Sequence, residues 1–186
     1  MPPGRGVGDR RRRVPRDGPP RAAGPGDPGH LAGAADSDQP DQQPRPPAGA
    51  GGVGARGCYT LTPNQIRERT AATRRETNKP FGLNFLLFDT REDSFATALD
   101  LRPAVMQFAW ARPDQDLKPF FDRSHDAGCK VTYMAGAVPE AVRAAKAGAD
   151  IIIAQGTEGG GHVSWMASMP LIPMIVDAVG RIPVLA

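Results

Sequence analysis

Five short apolar segments, separated by helical patterns, recur along residues 80–185 and most constrain the fold of this chain. They begin roughly 20 to 30 residues apart. Their apolar residues run continuously rather than alternating with polar ones, which indicates strands covered on both faces. The segments are Pro80–Phe88, Ala104–Trp110, Lys130–Met134, Asp150–Ala154 and Arg181–Leu185. This alternation predicts an α/β fold with a parallel sheet of about five strands.

Helix signals fill the intervals between the predicted strands and also precede the first one. Thr62 and Gln65 form a capping box around Pro63, which is favoured at the first helical position, and the pattern predicts a helix to about Thr77. The other predicted helices are Ser94–Leu101, Asp114–Ala127, Pro139–Ala147 and about Leu171–Val179, the last with Pro170 or Pro173 in its first turn.

Two architectures fit this alternation, a doubly wound open sheet and a (β/α)8 barrel. A complete barrel needs about 250 residues. The five clear strands therefore cannot form a closed eight-stranded barrel. In both architectures ligands bind at the carboxyl ends of the strands, so polar residues and glycines at those positions are the candidates for a site.

The N-terminal segment has a different composition from the rest of the chain. Residues 1–50 hold 11 Pro, 9 Gly and 8 Arg and no Phe, Trp, Tyr, Ile or Lys. Such a segment cannot bury enough apolar surface to offset the entropy of ordering it. We therefore expect a disordered tail over residues 1–57 and a folded domain over residues 58–186.

The charges of the chain give no support for nucleic-acid binding. Of the net charge of +3, the first 50 residues carry +2, so the predicted domain is nearly neutral. The basic run Arg10–Arg13 has no interleaved aromatic residue on which bases could stack. We interpret the run as part of a solvated tail.

Several other protein classes are disfavoured by the sequence. No apolar run approaches the roughly 18 residues expected of a membrane span, and no apolar segment follows the basic N-terminus as in a secretory signal. The two cysteines, Cys58 and Cys129, lie far apart, which argues against a disulfide scaffold or zinc site and favours the cytoplasm. The sequence offers no metal-ligand cluster, serine–histidine–aspartate set or phosphate-loop lysine.

The strongest site candidate follows the strand that ends at Ala154. The chain continues through Gln155 into four glycines within six residues and then reaches His162. Glycines let a ligand approach the backbone closely, Gln155 offers both a donor and an acceptor, and a histidine suits a general base. The alternative is a flexible turn with a surface histidine.

Two further candidates lie on the first two predicted strands. Asn84 interrupts an apolar strand, where an unpartnered amide costs roughly 1–3 kcal/mol, so it needs a ligand or a neighbouring backbone as partner. Gln107 and Trp110 lie near the end of the next strand. Packing at the core or rim is an alternative role for Trp110.

These segments carry a resemblance to a known family. The stretch GADIIIAQGTEGGGH, followed by MPLIPMIVDAV and RIPVLA, resembles the nitronate monooxygenases. KPFGLNF and LTPNQIRE are similar to earlier segments of that family, so the resemblance covers about residues 57–186. It implies an FMN-dependent (β/α)8 barrel that oxidises alkyl nitronates, and in some members nitroalkanes, with O2.

The resemblance also implies roles for particular residues. Asn84, Gln155, Gly160 and Gly161 would bind FMN, and His162 would remove the α-proton of a nitroalkane or position the nitronate. The family's first strand has no match in this sequence. The family also has a glycine turn and a phosphate loop after the position that corresponds to Ala186, and these have no match either. By the family's order the chain would hold about strands three to seven of eight and a remnant of the second near Cys58. We therefore expect a partial (β/α)8 barrel from a truncated member, which is either such an enzyme or an inactive fragment of one.

Two alternative functions remain. The related flavin-dependent enoyl-acyl carrier reductases share the glycine-rich loop and the histidine, but they tend toward Glu at the position of Gln155, which favours the monooxygenase. A non-catalytic barrel fragment is the alternative from another class.

Overall fold

One parallel sheet of six strands carries the fold in the computed structural model, which describes residues 53–186. The strands are β1 Gly54–Gly57, β2 Phe81–Leu86, β3 Val105–Ala109, β4 Lys130–Ala135, β5 Ile151–Ala154 and β6 Val184–Leu185. They lie side by side in sequence order, whereas a doubly wound sheet reverses direction at a switch point. The predicted partial (β/α)8 barrel with parallel strands is confirmed.

The first strand lies in a segment that we predicted to be tail. Gly54 pairs with Phe81 and Gly57 with Asn84, so Gly54–Gly57 is an edge of the sheet. The boundary at residue 57 is therefore wrong for these four residues. Gly-Ala-Arg-Gly has no large apolar side chain and gives no strand pattern, and the strand depends on backbone hydrogen bonds to its neighbour. Residues 1–52 of the predicted tail lie outside the described residues.

Five α-helices connect the strands, and a short 3-10 helix, Leu87–Asp89, follows β2. Their bounds are α1 Pro63–Glu76, α2 Glu92–Asp100, α3 Lys118–Asp126, α4 Val138–Ala147 and α5 Ser168–Val179. The capping box of α1 is confirmed, because the Gln65 N–H donates to Thr62 Oγ1 and the Thr62 N–H donates to Gln65 Oε1.

Two helix starts differ from the prediction. Helix α3 begins at Lys118 rather than Asp114, because a start at Asp114 would place Pro119 in the helix interior, where its ring clashes with the preceding turn. Helix α5 begins three residues earlier than predicted and so contains Pro173 in its interior. The cause is a cap from a distant part of the chain, described below.

The core lies between the helices and one face of the sheet. Phe85, Phe108, Tyr133 and Ile152 are register partners on neighbouring strands and are all buried. The ring of Phe121 on α3 stacks on Phe108 with 5.5 Å between ring centroids. Because side chains alternate along a strand, the intervening residues point to the opposite face of the sheet, which we call the inner face.

Candidate functional site

The predicted site residues lie at one edge of the sheet or on the inner face near it. All strands are parallel, so their carboxyl ends share this edge. Gln155 follows β5 directly, Trp110 follows β3, and Phe88 lies in the 3-10 helix after β2. Gly160, Gly161 and His162 belong to the segment between β5 and α5, and Asn84 lies on β2.

Gln155 holds the glycine-rich loop onto the sheet. Its backbone N–H donates to the Ala135 carbonyl at 3.0 Å, and its side-chain Nε2 donates to the Gly160 carbonyl at 3.2 Å. No hydrogen bond to Oε1 occurs within residues 53–186. The acceptor half of this amide is thus free for a ligand, and the predicted cofactor contact stays a prediction.

The glycines of the loop fall into two groups. A Cβ on Gly156 would lie 2.2 Å from Ser168 Oγ and 2.4 Å from the Ser168 nitrogen, so this position has no room for a side chain. A Cβ on Gly160 or Gly161 would meet nothing within 4 Å. The loop therefore has a packed beginning and an open second half, whose backbone a ligand can approach.

Glu158 fixes the start of α5, a role that the sequence did not indicate. Its carboxylate accepts the Ser168 N–H at 3.0 Å and the Ser168 hydroxyl at 2.9 Å. Hydrogen bonds from its own backbone N–H and from both Ser168 donors hold the pKa of Glu158 below its ordinary value. The carboxylate satisfies an otherwise unpaired donor of the first turn, which explains the early start of the helix.

His162 is half-buried between two aromatic rings from other strand ends. Its ring centroid lies 6.1 Å from that of Phe88 and 5.8 Å from that of Trp110, which it meets edge-on. In the described part of the chain its ring nitrogens form no hydrogen bond. The imidazole is therefore held by ring contacts while both nitrogens stay available to a ligand.

Trp110 has an unusual backbone conformation. Its φ is 54°, in the left-handed region that favours glycine. A residue with a Cβ pays about 1–2 kcal/mol there. Its carbonyl accepts the Phe88 N–H at 3.0 Å, which joins the two aromatic positions through the backbone. The sequence marked Trp110 by its place at a strand end but gave no sign of this conformation.

A row of polar side chains crosses the inner face of the sheet below the loop. Asn84, Gln107 and Thr132 are register partners on β2, β3 and β4. The Asn84 side chain is half-buried and has no hydrogen-bond partner among residues 53–186. Gln107 Nε2 donates to Met134 Sδ, a weak acceptor, and the buried Thr132 Oγ1 is unpaired. This row thus retains unused hydrogen-bonding capacity.

Other chemistries find no support in the described part of the chain. Cys58 follows β1 at the same edge, but burial raises the pKa of its thiol to about 12, which disfavours the thiolate at neutral pH. Residues 53–186 contain no group of three or more His, Cys, Asp or Glu that could hold a metal ion. Among these residues, no helix has the length and apolar character needed to cross a membrane.

Comparison with known proteins finds curated relatives that are named as a carboxyl-CoA dehydrogenase and as nitronate monooxygenases. A carboxyl-CoA dehydrogenase of Rhodococcus jostii, (3aS,4S,5R,7aS)-5-hydroxy-7a-methyl-1-oxo-octahydro-1H-indene-4-carboxyl-CoA dehydrogenase, is 36% identical over 140 residues, 75% of this chain and 38% of its own. A protein named "Probable nitronate monooxygenase" from Staphylococcus aureus is 33% identical over 100 residues, 48% of this chain and 27% of its own. The chain thus spans less than two fifths of these curated relatives.

The fold has close counterparts among solved structures. FabK from Thermotoga maritima matches with a TM-score of 0.63 and 26% identity over 72% of this chain and 42% of that chain. The family model for nitronate monooxygenase matches residues 92–186, which include β3 to β6 and the whole glycine-rich loop. The chain belongs to the nitronate monooxygenase family.

Proposed function

We propose that this chain is part of an FMN-dependent oxidoreductase that oxidises alkyl nitronates, and in a broader reading nitroalkanes, with O2. The observation that carries the proposal is the open glycine backbone that leads to His162 at the carboxyl edge of the sheet, in a chain of this family. Active sites of (β/α) barrels are built at that edge.

The residues at this edge fit a flavin. A planar heteroaromatic ring needs backbone without side chains on one side and amide groups at its edge. Gly160 and Gly161 leave open space, and Gln155 Oε1 and the Asn84 amide have unused capacity within the described residues. We propose that these four residues contact FMN.

The flavin would supply the electron-accepting chemistry, and the chain would supply orientation and a base. His162 has the intrinsic properties of a general base near neutral pH. Its ring nitrogens form no hydrogen bond to residues 53–186, so one of them can take the α-proton of a nitroalkane. With a nitronate that proton is already gone, and the imidazole would donate to the anionic nitro oxygen.

A second candidate function is an oxidoreductase of acyl thioesters, similar to the enoyl-acyl carrier reductases. The Rhodococcus relative is named for a carboxyl-CoA substrate. Two exposed apolar side chains, Trp165 before α5 and Met169 in its first turn, are 78% and 84% exposed and would contact a long acyl group. The reductases are expected to have Glu at this position, so Gln155 favours a nitronate over an acyl thioester as the substrate.

The experiment adds FMN to the purified 186-residue chain and records the visible spectrum and the rate of O2 consumption with an alkyl nitronate. Flavin retained after gel filtration together with nitronate-dependent O2 uptake would support the proposal. Oxidation of NADH or NADPH with an enoyl thioester, without O2 uptake on nitronate, would favour the second candidate. A folded chain that retains no flavin would contradict both.

We also propose a cytoplasmic location for the protein. Both cysteines are free and buried. Free thiols are the usual state in a reducing compartment. Treating intact cells with a membrane-impermeant protease tests this, since a cytoplasmic protein is protected until the cells are broken.

A further inference from the structure

Three aromatic rings from distant parts of the chain meet at the carboxyl edge of the sheet. Phe88 follows β2, Trp110 follows β3, and His162 lies between β5 and α5. The two flanking rings contact the imidazole with centroid distances of 6.1 and 5.8 Å. The imidazole therefore lies next to two rings that belong to different strand connections.

Hydrogen bonds fix the two connections that carry the flanking rings. The Phe88 N–H donates to the Trp110 carbonyl at 3.0 Å. The Phe88 carbonyl accepts Arg112 Nη1 at 2.7 Å, and the neighbouring Leu87 carbonyl accepts Gln115 Nε2 at 3.0 Å. Because these bonds join the connections after β2 and β3, the two rings form one rigid support.

The loop that carries His162 is held at Gly160, whose carbonyl accepts Gln155 Nε2 at 3.2 Å, and has little support of its own after that residue. Gly160 and Gly161 are exposed, and the space around a Cβ at either position is empty. His162 itself forms no side-chain hydrogen bond within residues 53–186. Within residues 53–186, the contacts with the rings of Phe88 and Trp110 are thus the side-chain interactions that can orient the imidazole.

Trp110 occupies a position where the backbone alone favours glycine. Its φ of 54° is strained for any residue with a Cβ. The side chain is half-buried and lies outside the buried core. Backbone strain that packing does not explain is a pointer to function, and here the indole ring contacts the candidate base.

We propose that Phe88 and Trp110 are positioning residues that fix the His162 ring for proton transfer, while leaving both of its nitrogens free. This inference rests on the proposed role of His162 as the base. The rings act through contact with the imidazole and need not touch the substrate. Orientation matters because a misplacement of about 1 Å can cost roughly 100-fold in rate.

The first test is the NMR spectrum of the His162 ring protons in the full chain. The chain has three histidines, so H30Q, H125Q and H162Q variants assign the signals. We expect the His162 signals to be displaced by the ring currents of its neighbours. Trp110→Gly should remove most of this displacement, and Trp110→Phe should keep part of it. The thermal midpoints of both variants show whether the fold is retained.

The second test compares turnover in two backgrounds. Trp110→Gly should lower kcat about 10-fold or more with little change in KM, and Trp110→Phe should restore part of the loss. In a His162→Ala background the same change should cost nothing further, because the group to be positioned is gone. Phe88→Leu is a second variant, which removes the other flanking ring and keeps an apolar side chain at that position.

The outcomes separate this inference from the proposed function. Unchanged His162 signals in both Trp110→Gly and Phe88→Leu would overturn the positioning role, as would an equal loss of turnover in the presence and absence of His162. A chain that turns over no nitronate but shows the ring-current displacement, and its loss in Trp110→Gly, would overturn the proposed base and leave the support of the ring established.

Discussion

The two ends of the parallel sheet treat their polar groups differently. At the amino end Asp150 accepts three hydrogen bonds at 2.8 Å, from His125 Nε2, Lys130 Nζ and the Val131 N–H. At the carboxyl end, His162 forms no side-chain hydrogen bond among residues 53–186. Asp150 thus spends its hydrogen-bonding capacity within the protein, whereas His162 keeps its ring nitrogens available to a ligand. In barrels of this type, the first arrangement indicates stability and the second binding.

Histidine provides the sharpest test of this contrast, since each end has one. We expect His162→Ala to reduce nitronate turnover about 10²- to 10⁴-fold, the usual contribution of a general base, with an unchanged thermal midpoint. His125→Ala should keep turnover and lower the free energy of unfolding by no more than about 1 kcal/mol, because its side chain is 37% exposed. Steady-state kinetics and thermal melts measure both. If turnover were lost in His125→Ala and kept in His162→Ala, the assignment of binding to the carboxyl end would be wrong.

Gly156 tests the packed beginning of the glycine-rich loop. Gly156→Ala should destabilise the fold by about 3 kcal/mol, because the new methyl group collides with Ser168 and with the Glu158 carboxylate. Urea unfolding measures the loss. Gly160→Ala is the matched control, since its methyl group meets open space. Equal stability of the two variants would show that the beginning of the loop can relax.

Asp150 tests the amino end of the sheet, where its carboxylate accepts hydrogen bonds from within the protein. Asp150→Ala leaves the buried Val131 N–H without its acceptor and should cost about 2 kcal/mol of stability, with turnover preserved. Burial raises the pKa of Asp150, but hydrogen bonds from Lys130, Val131 and His125 outweigh it and hold the pKa below 3.8. The contribution of this carboxylate is therefore fully present above pH 3.8 and is lost as the pH falls through the lowered pKa. Urea midpoints of the parent and the variant should converge in acid, and a constant difference would contradict the assignment.

The smallest expected effect concerns the open half of the loop. Gly160→Ala should weaken FMN binding about 10-fold, as a methyl group would intrude between the backbone and the ring of the ligand. Fluorescence titration with FMN measures the affinity. Thermal melts of Gly160→Ala serve as the control that the fold is retained. Unchanged affinity of Gly160→Ala would place the flavin away from this residue.

The sequence predicted the elements whose signals are local. Continuous apolar runs gave β2 to β6, and Thr62 and Gln65 gave the start of α1, because each pattern lies within a few neighbouring residues. Residue patterns alone missed β1, whose four residues include no large apolar side chain, and the resemblance gave only a strand remnant near Cys58. The start of α5 was placed too late, because Glu158 acts on Ser168 from ten residues away.

The site could be located from the sequence, but its arrangement could not. A glycine-rich segment after an apolar strand identified the loop and His162. Phe88 and Trp110 come from connections more than 50 residues before His162, so only the folded sheet brings the three rings together. The inward row of Asn84, Gln107 and Thr132 likewise depends on strand register.

The Glu158 carboxylate limits where the phosphate of a nucleotide can bind near α5. Helix amino termini commonly bind phosphate, but the first turn of α5 has few donors to offer. The Ser168 N–H is already bound to Glu158, Pro170 has no N–H, and the Leu171 N–H bonds to the Ala167 carbonyl. A second anion would also be repelled by the first. The first turn of α5 therefore offers little to the phosphoryl group of a flavin nucleotide, and in the proposed complex the ribityl chain would lead in another direction.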